Sequence, residues 1–319
     1  MGRFIARRLV QAIPTVFGIM LITFLLTRLS PADPVNLMLA GNFDITVEDK
    51  EALRQTLGLN DPLPVQFARW SWDILNLNFG TSFYYHRPVF GLLMERIPNS
   101  FQYAVLGLLV ALVIGVPLGI LAALTRGRWP DHVVRTTSVV LNATPDFFLG
   151  LMFILWFAIQ LRWFPIGSMN VVGSNCGFCW DRLWHLVGPT LLAANGGIAF
   201  YPRILRTELL EILGQDYVRT ARSKGLKERM VMLSHVLRNA LIPVVTIFGG
   251  ILTLVLSGSL VTETVFNWPG FGRLGFEAAV NKDYPIVQAV VLIGGVLLLL
   301  SYILRDIAYA WVDPRIKVR

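Results

Sequence analysis

Charge is what this chain has least of. Only 15% of its 319 residues are Asp, Glu, Lys or Arg, whereas 55% are hydrophobic and the mean hydropathy is +0.60. That balance excludes an ordinary soluble protein of this length and is the composition of a chain embedded in lipid. Cysteine is scarcer still, with only Cys176 and Cys179, and the histidines His86, His132, His185 and His235 lie far apart. A zinc site takes about four clustered ligands, so no metal site is expected. The GxxxxGK[ST] phosphate loop, GxSxG, HExxH and any paired-carboxylate spacing are also missing. No catalytic residue is assigned and no cofactor is expected on this chain. An ATP-driven step, if there is one, needs ATP and Mg on another subunit.

The net charge of +8 raises the question of nucleic acid. The basic residues sit at the ends of apolar spans rather than in one aromatic-interleaved patch, so no nucleic-acid partner is expected.

What is present is a series of apolar runs. Arg3, Arg7 and Arg8 precede a span over about 9–27. Ser30-Pro31-Ala32 resembles a signal-cleavage site, but the run exceeds a signal core and is taken as a retained transmembrane helix, within an N-terminal region 1–29. Residues 30–100 contain no spanning run and form a small helical extracytoplasmic insert. Thr46 with Asp49 is a capping-box signal for one helix there, ended by Gly58. A second helix is expected from Pro64 to about Leu77, and a third from Pro88.

Residues 101–319 form a five-span core. Its spans are expected over about 101–124, 133–161, 186–205, 239–261 and 286–310, making six with the first. The third contains Pro145 and Asp146, the fourth Pro189 and Pro202. Eighteen of the 28 Lys and Arg fall on one side of this arrangement, which puts both termini and the 206–238 loop in the cytoplasm.

Four features carry alternative readings. Gly115 and Gly119 are either a close helix contact or a chance pair in a glycine-rich span. Asp146 inside a span faces a path or gate, or else it caps the backbone freed at Pro145 or pairs with a neighbouring subunit. Cys176-Gly177-Phe178-Cys179 lies in an outside loop and is either a local disulfide, a pair of free thiols or a redox pair. From Asp216 to Met232 a short helix broken at Gly225 should expose basic residues. Tyr217, Val218, Ala221, Leu226 and Met230 offer apolar contacts there; the simpler reading of this loop is an anchor on anionic lipid.

The stretch Asp216-Tyr217-Val218-Arg219-Thr220-Ala221-Arg222-Ser223-Lys224-Gly225-Leu226, with His235 to Pro243, resembles the permease subunits of ABC importers of the dipeptide/oligopeptide, nickel and glutathione class. So do Thr262-Glu263-Thr264-Val265-Phe266, Trp268-Pro269-Gly270-Phe271-Gly272-Arg273, Asp283-Tyr284-Pro285 and Asp313-Pro314-Arg315-Ile316. The general importer signature opens with Glu and two small residues, where this chain has Arg219 and Thr220 before Ala221, a departure shared by the peptide class.

The resemblance implies an all-α integral membrane fold with six transmembrane helices of the type I importer architecture, in the bacterial inner membrane. It implies a non-enzymatic subunit forming half of a path for di-/oligopeptides, or for nickel complexes or glutathione. The implied partners are a homologous second permease, two cytoplasmic ATPases, a periplasmic or lipid-anchored binding protein, and membrane lipid. It makes Asp216, Tyr217, Arg219, Thr220, Ala221, Arg222, Lys224, Gly225 and Leu226 the ATPase-coupling loop, and Glu263, Trp268, Pro269, Gly270 and Gly272 a periplasmic motif. A membrane scaffold and an ATP-independent channel are the rival readings.

Overall fold

The computed structural model describes residues 2–29, 35–36, 46–171, 173, 179–237, 240 and 259–312. It divides into two compact units, Met1–Pro98 with Gly270–Leu299, and Asn99–Pro269 with Leu300–Arg319. All the regular elements among the described residues are helical.

In the first unit, α1 spans Gly2–Arg28, α2 Val47–Thr56 and α3 Leu63–Leu75. The capping box forms as the sequence predicts: the Thr46 hydroxyl accepts from the Asp49 amide and the Asp49 carboxylate accepts from the Thr46 amide. Gly58 ends α2 at φ +64°, donating to the Gln55 carbonyl while Leu59 donates to that of Arg54. That left-handed stop is what glycine supplies without strain. The helix expected from Pro88 does not end before the span that follows it. It is the start of one continuous helix, α4, Val89–Leu124, which crosses the expected boundary at residue 100. Past the second unit's elements, α11 (Phe271–Val280) and the first part of α12 (Tyr284–Val312) complete this unit. Val89, Leu92 and Leu93 pack on Phe271, Leu274, Ile286 and Ala289. The fully buried Asp283 accepts from the Ser82 hydroxyl and the Tyr84 amide.

The second unit is organised on the α4–α7 pair, where α7 is Trp180–Leu213. Small residues let the two backbones meet. A methyl on Gly107, Gly115 or Gly119 would come within 2.8, 3.0 or 2.9 Å of Ala193, Tyr201 or Leu205, and one on Gly197 within 2.5 Å of Ala111. The close-contact reading of Gly115 and Gly119 is therefore the right one. In lipid, where apolar burial gives helices little reason to associate, such close packing is the main attraction between them.

The four contacts advance together along both helices, so α4 and α7 run in the same direction. The chain between them must return once. It does so through α5 (Trp129–Ala143) and α6 (Asp146–Phe153, continuing as a π-helical segment Ile154–Gln160), which meet at 103°. Pro145 makes that break, since it can neither donate an amide nor let Thr144 stay helical.

Among the described residues three helical stretches, Val10–Arg28, Val89–Leu124 and Tyr284–Leu304, are long and apolar enough to cross a membrane, and the bent α5–α6 pair would be a fourth. The predicted span over 186–205 is helical within α7, but α7 is not among those stretches. Most of the predicted span over 239–261 lies outside the described residues. Between the predicted spans over 239–261 and 286–310, where a connecting loop over 262–285 is expected, lie most of α10 (Leu260–Val265) and all of α11.

Candidate functional site

At the end of α7, Gly214 and Gln215 turn the chain into α8, Asp216–Ser223. The eight-residue helix is anchored on one side only. Val218 and Ala221, three residues apart, are buried with Leu205, Leu209, Val231 and Val236. Asp216, Arg219, Thr220, Arg222 and Lys224 are exposed. Tyr217, 43% exposed, and Met230, 53% exposed, offer their apolar surface outward. Leu226 is half-buried against the cluster.

The turn after α8 is fixed by backbone and charge. Gly225 has φ +75°, with open space where a Cβ would stand, so any substitution there is strained by conformation rather than by crowding. Arg222 closes the turn with two bonds to Glu228, of 2.7 and 3.2 Å. That guanidinium holds the Glu228 carboxyl below the ordinary glutamate range. A short helix, α9 (Glu228–Met230), then continues as a π-helical segment, Val231–Leu237.

Asp131 and Arg206 reinforce the same end of the α4–α7 pair. The carboxylate, 1% exposed, accepts from Arg206 Nε at 2.6 Å and Nη2 at 2.8 Å, and from the Gly127 amide at 2.9 Å. This fork ties the α4–α5 turn to α7 eight residues before α7 stops. Sequence reading missed it, although an acid in the first turn of a helix after a basic turn was a visible signal.

At the opposite end of the pair, Glu263 of α10 is fully buried. It accepts from Ser100 Oγ at 2.6 Å and Tyr103 Oη at 2.9 Å. Trp268, also fully buried, donates its indole N–H to the Asn99 carbonyl, while the Asn99 amide donates to the Pro269 carbonyl. Arg182 bridges Gln102 and Asn99. Gly270 caps α11 and Gly272 is its second residue; both belong to the first unit.

Asp146 is the first residue of α6 and Pro145 its cap position, without a side-chain capping bond. Asp146 is exposed in the isolated chain and accepts from Asn195 Nδ2 at 3.0 Å. Asn195 lines an apolar cavity of about 220 Å³ with Leu149, Phe153, Leu192 and Phe266. Neither Asp146 nor the Glu263 cluster belongs to the surface around α8. Cys179 is disulfide-bonded; Cys176, its expected partner, lies outside the described residues, as do Arg238, Asn239 and 241–243.

Residues 115–318 match the family described as binding-protein-dependent transport system inner membrane component, and residues 1–104 match its N-terminal companion. The oligopeptide transport system permease protein AppB of Bacillus subtilis (strain 168) is 37% identical over 99% of this chain and 100% of its own length. The probable peptide ABC transporter permease protein y4tP of Sinorhizobium fredii (strain NBRC 101917 / NGR234) is 40% identical over the same shares. Among solved structures, a chain of the MetNI methionine ABC transporter in inward-facing conformations is similar in fold. It matches with TM-score 0.51 and 22% identity, over 70% of this chain and 96% of that one. The chain therefore has the permease fold of an ABC importer, is a multi-pass membrane transport subunit, and belongs to the family of binding-protein-dependent transport system inner membrane components.

Proposed function

We propose that the chain forms half of the path through which an ATP-driven importer passes di- or oligopeptides, and that α8 is where the energy enters. The carrying observation is the geometry of α8: seated on the buried Val218 and Ala221, it presents Tyr217, Arg219, Thr220 and Lys224 outward, directly after a helix anchored along α4. A soluble cytoplasmic ATPase engaging that face would push on α7 through a contact too short to absorb the movement. For such a push to drive transport, the ATPase contacts must differ in free energy between the inward-open and outward-open forms.

In this reading the membrane part has six transmembrane helices with both termini in the cytoplasm. Two ATPase subunits hold ATP and Mg, a homologous second permease covers the face that carries Asp146, and a periplasmic or lipid-anchored binding protein delivers cargo at the Glu263 end. The chain itself binds no cofactor. The peptide cargo is supported by the names of full-length relatives; nickel complexes and glutathione are the alternatives within the class.

Gly225→Val tests the coupling. In the reconstituted complex it should lower peptide uptake and substrate-stimulated ATP hydrolysis by about tenfold or more, since a β-branched residue at positive φ is a severe misfit. Unchanged uptake and unchanged stimulation would remove α8 from the mechanism. A binding assay of the delivered cargo, run separately with peptide, nickel and glutathione, decides the substrate class.

A further inference from the structure

The first unit contains a second cavity, of about 460 Å³, remote from α8 in sequence. It opens where two apolar helices end: Thr27 and Arg28 close α1, and Tyr284, Pro285 and Gln288 begin α12, with the Gln288 amide donating to the Thr27 hydroxyl at 2.6 Å. The insert supplies the other wall through Trp70, Asp73 and Phe79. The ends of spanning helices lie at the level of lipid headgroups.

Two opposite charges face this cavity without meeting. Arg28 is half-buried, and its guanidinium lies over the Phe24 ring at 5.4 Å. Phe24 is in turn fixed against Phe67 and Trp70 at 5.4 and 5.8 Å, so the cation is held in place by an aromatic stack. Among the described residues no carboxylate pairs with Arg28, and none of its guanidinium nitrogens has a hydrogen-bond acceptor. Asp73 lines the same cavity from α3, and its carboxylate likewise has no donor among the described residues. A half-buried cation stays unpaired at a cost unless something else compensates it.

From this arrangement we infer that the cavity binds a zwitterion: an anionic group on Arg28, an ammonium on Asp73, and the connecting atoms against Trp70, Phe79 and Tyr284. One lipid source has this chemistry, the phosphoethanolamine headgroup, whose acyl chains would run down α1 and α12. One soluble source has it as well, a short peptide with free termini. The inference does not depend on α8; its soluble arm rests on the peptide cargo proposed above, whereas its lipid arm does not.

The test uses the full-length chain with its accompanying subunits, delipidated and placed in nanodiscs of phosphatidylcholine. Phosphatidylethanolamine, phosphatidylglycerol and the dipeptide Ala-Ala are added separately, and retention is measured by native mass spectrometry or calorimetry. Retention of phosphatidylethanolamine, lowered about tenfold or more by Arg28→Gln and by Asp73→Asn, identifies the lipid source. The same response of Ala-Ala, abolished by N-acetylation, identifies the soluble source, and Arg28→Lys should restore part of either. Asp73 is exposed on α3, so Asp73→Asn tests the site without endangering the fold. Retention of phosphatidylglycerol equal to that of phosphatidylethanolamine, retention unaffected by Asp73→Asn, or no retention of any probe would overturn the proposal.

Discussion

The two ends of the α4–α7 pair are built by different chemistry. Where α4 and α7 enter their packed stretch, Glu263, Ser100, Tyr103, Asn99 and Trp268 close a hydrogen-bonded cluster in which Glu263 and Trp268 have no exposure at all. At the far end a single forked ion pair, Asp131–Arg206, secures α7, and beyond it α8 stands on two buried side chains with its charged face open. One end is closed by buried hydrogen bonds; the other leaves a charged helix face open. The difference teaches that a bundle can be tightly packed along its length and still leave the exposed face that the proposed ATPase contact needs at one end.

The comparison can be broken at several points, and the largest effect is expected at the ion pair. Asp131→Ala leaves Arg206, 19% exposed, without its partner, and losing one member of such a pair costs about 3–5 kcal/mol. Thermal unfolding in detergent should shift down markedly, and Asp131→Glu should recover part of the loss. Next comes Glu263→Ala, which removes the acceptor of the Ser100 and Tyr103 hydroxyl protons at about 1–3 kcal/mol each. Limited proteolysis should then open the Glu263 end first, with binding of the ATPases unaffected. If that substitution instead releases the ATPases while the fold persists, the two ends are not separate devices.

A smaller effect is expected for Gly119→Ala. The added methyl would lie 2.9 Å from Leu205 Cβ and 3.1 Å from Pro202 Cα, and overpacking of this kind costs about 1–3 kcal/mol. Gly196→Ala, with nothing near its Cβ, is the matched control and should be nearly neutral.

The smallest effect belongs to Arg222 and Glu228. Because Glu228 has a lowered folded-state pKa, its contribution is present at neutral pH and is lost as the pH falls through that value, below the ordinary glutamate range. The pair is exposed, so acidification should loosen the 223–228 turn, read by hydrogen exchange, without unfolding the chain.

Much of α8 was legible in the sequence because short-range rules write it. Asp216 to Met232 reads as a short helix broken at Gly225, and Thr46 with Asp49 reads as a capping box; the break and the box both formed. Asp131, Arg206, Asn195 and Asn99 were not legible as partners, since each meets a residue tens of positions away and nothing local records the meeting. Which apolar residues of this loop face inward was not legible: helix phase puts Val218 and Ala221 inside, while Tyr217 and Met230 stand out. The helices at 260–265 and 271–280 were read as loop because each is shorter than a span and is stabilised by its ends, Ser259 accepting from Thr262 and Phe271 burying its ring, rather than by a long apolar face.

The central claim, that α8 is the surface an ATPase grips, is tested most directly by cross-linking. Tyr217→Cys, with both native cysteines replaced by serine, should form an adduct with a cytoplasmic ATPase subunit in the assembled complex, and the yield should change when nucleotide is added. A cysteine placed at Glu51, on the exposed face of α2, should form none. Equal yields at the two positions, or no ATPase adduct at Tyr217→Cys in an assembly that still transports, would contradict the account.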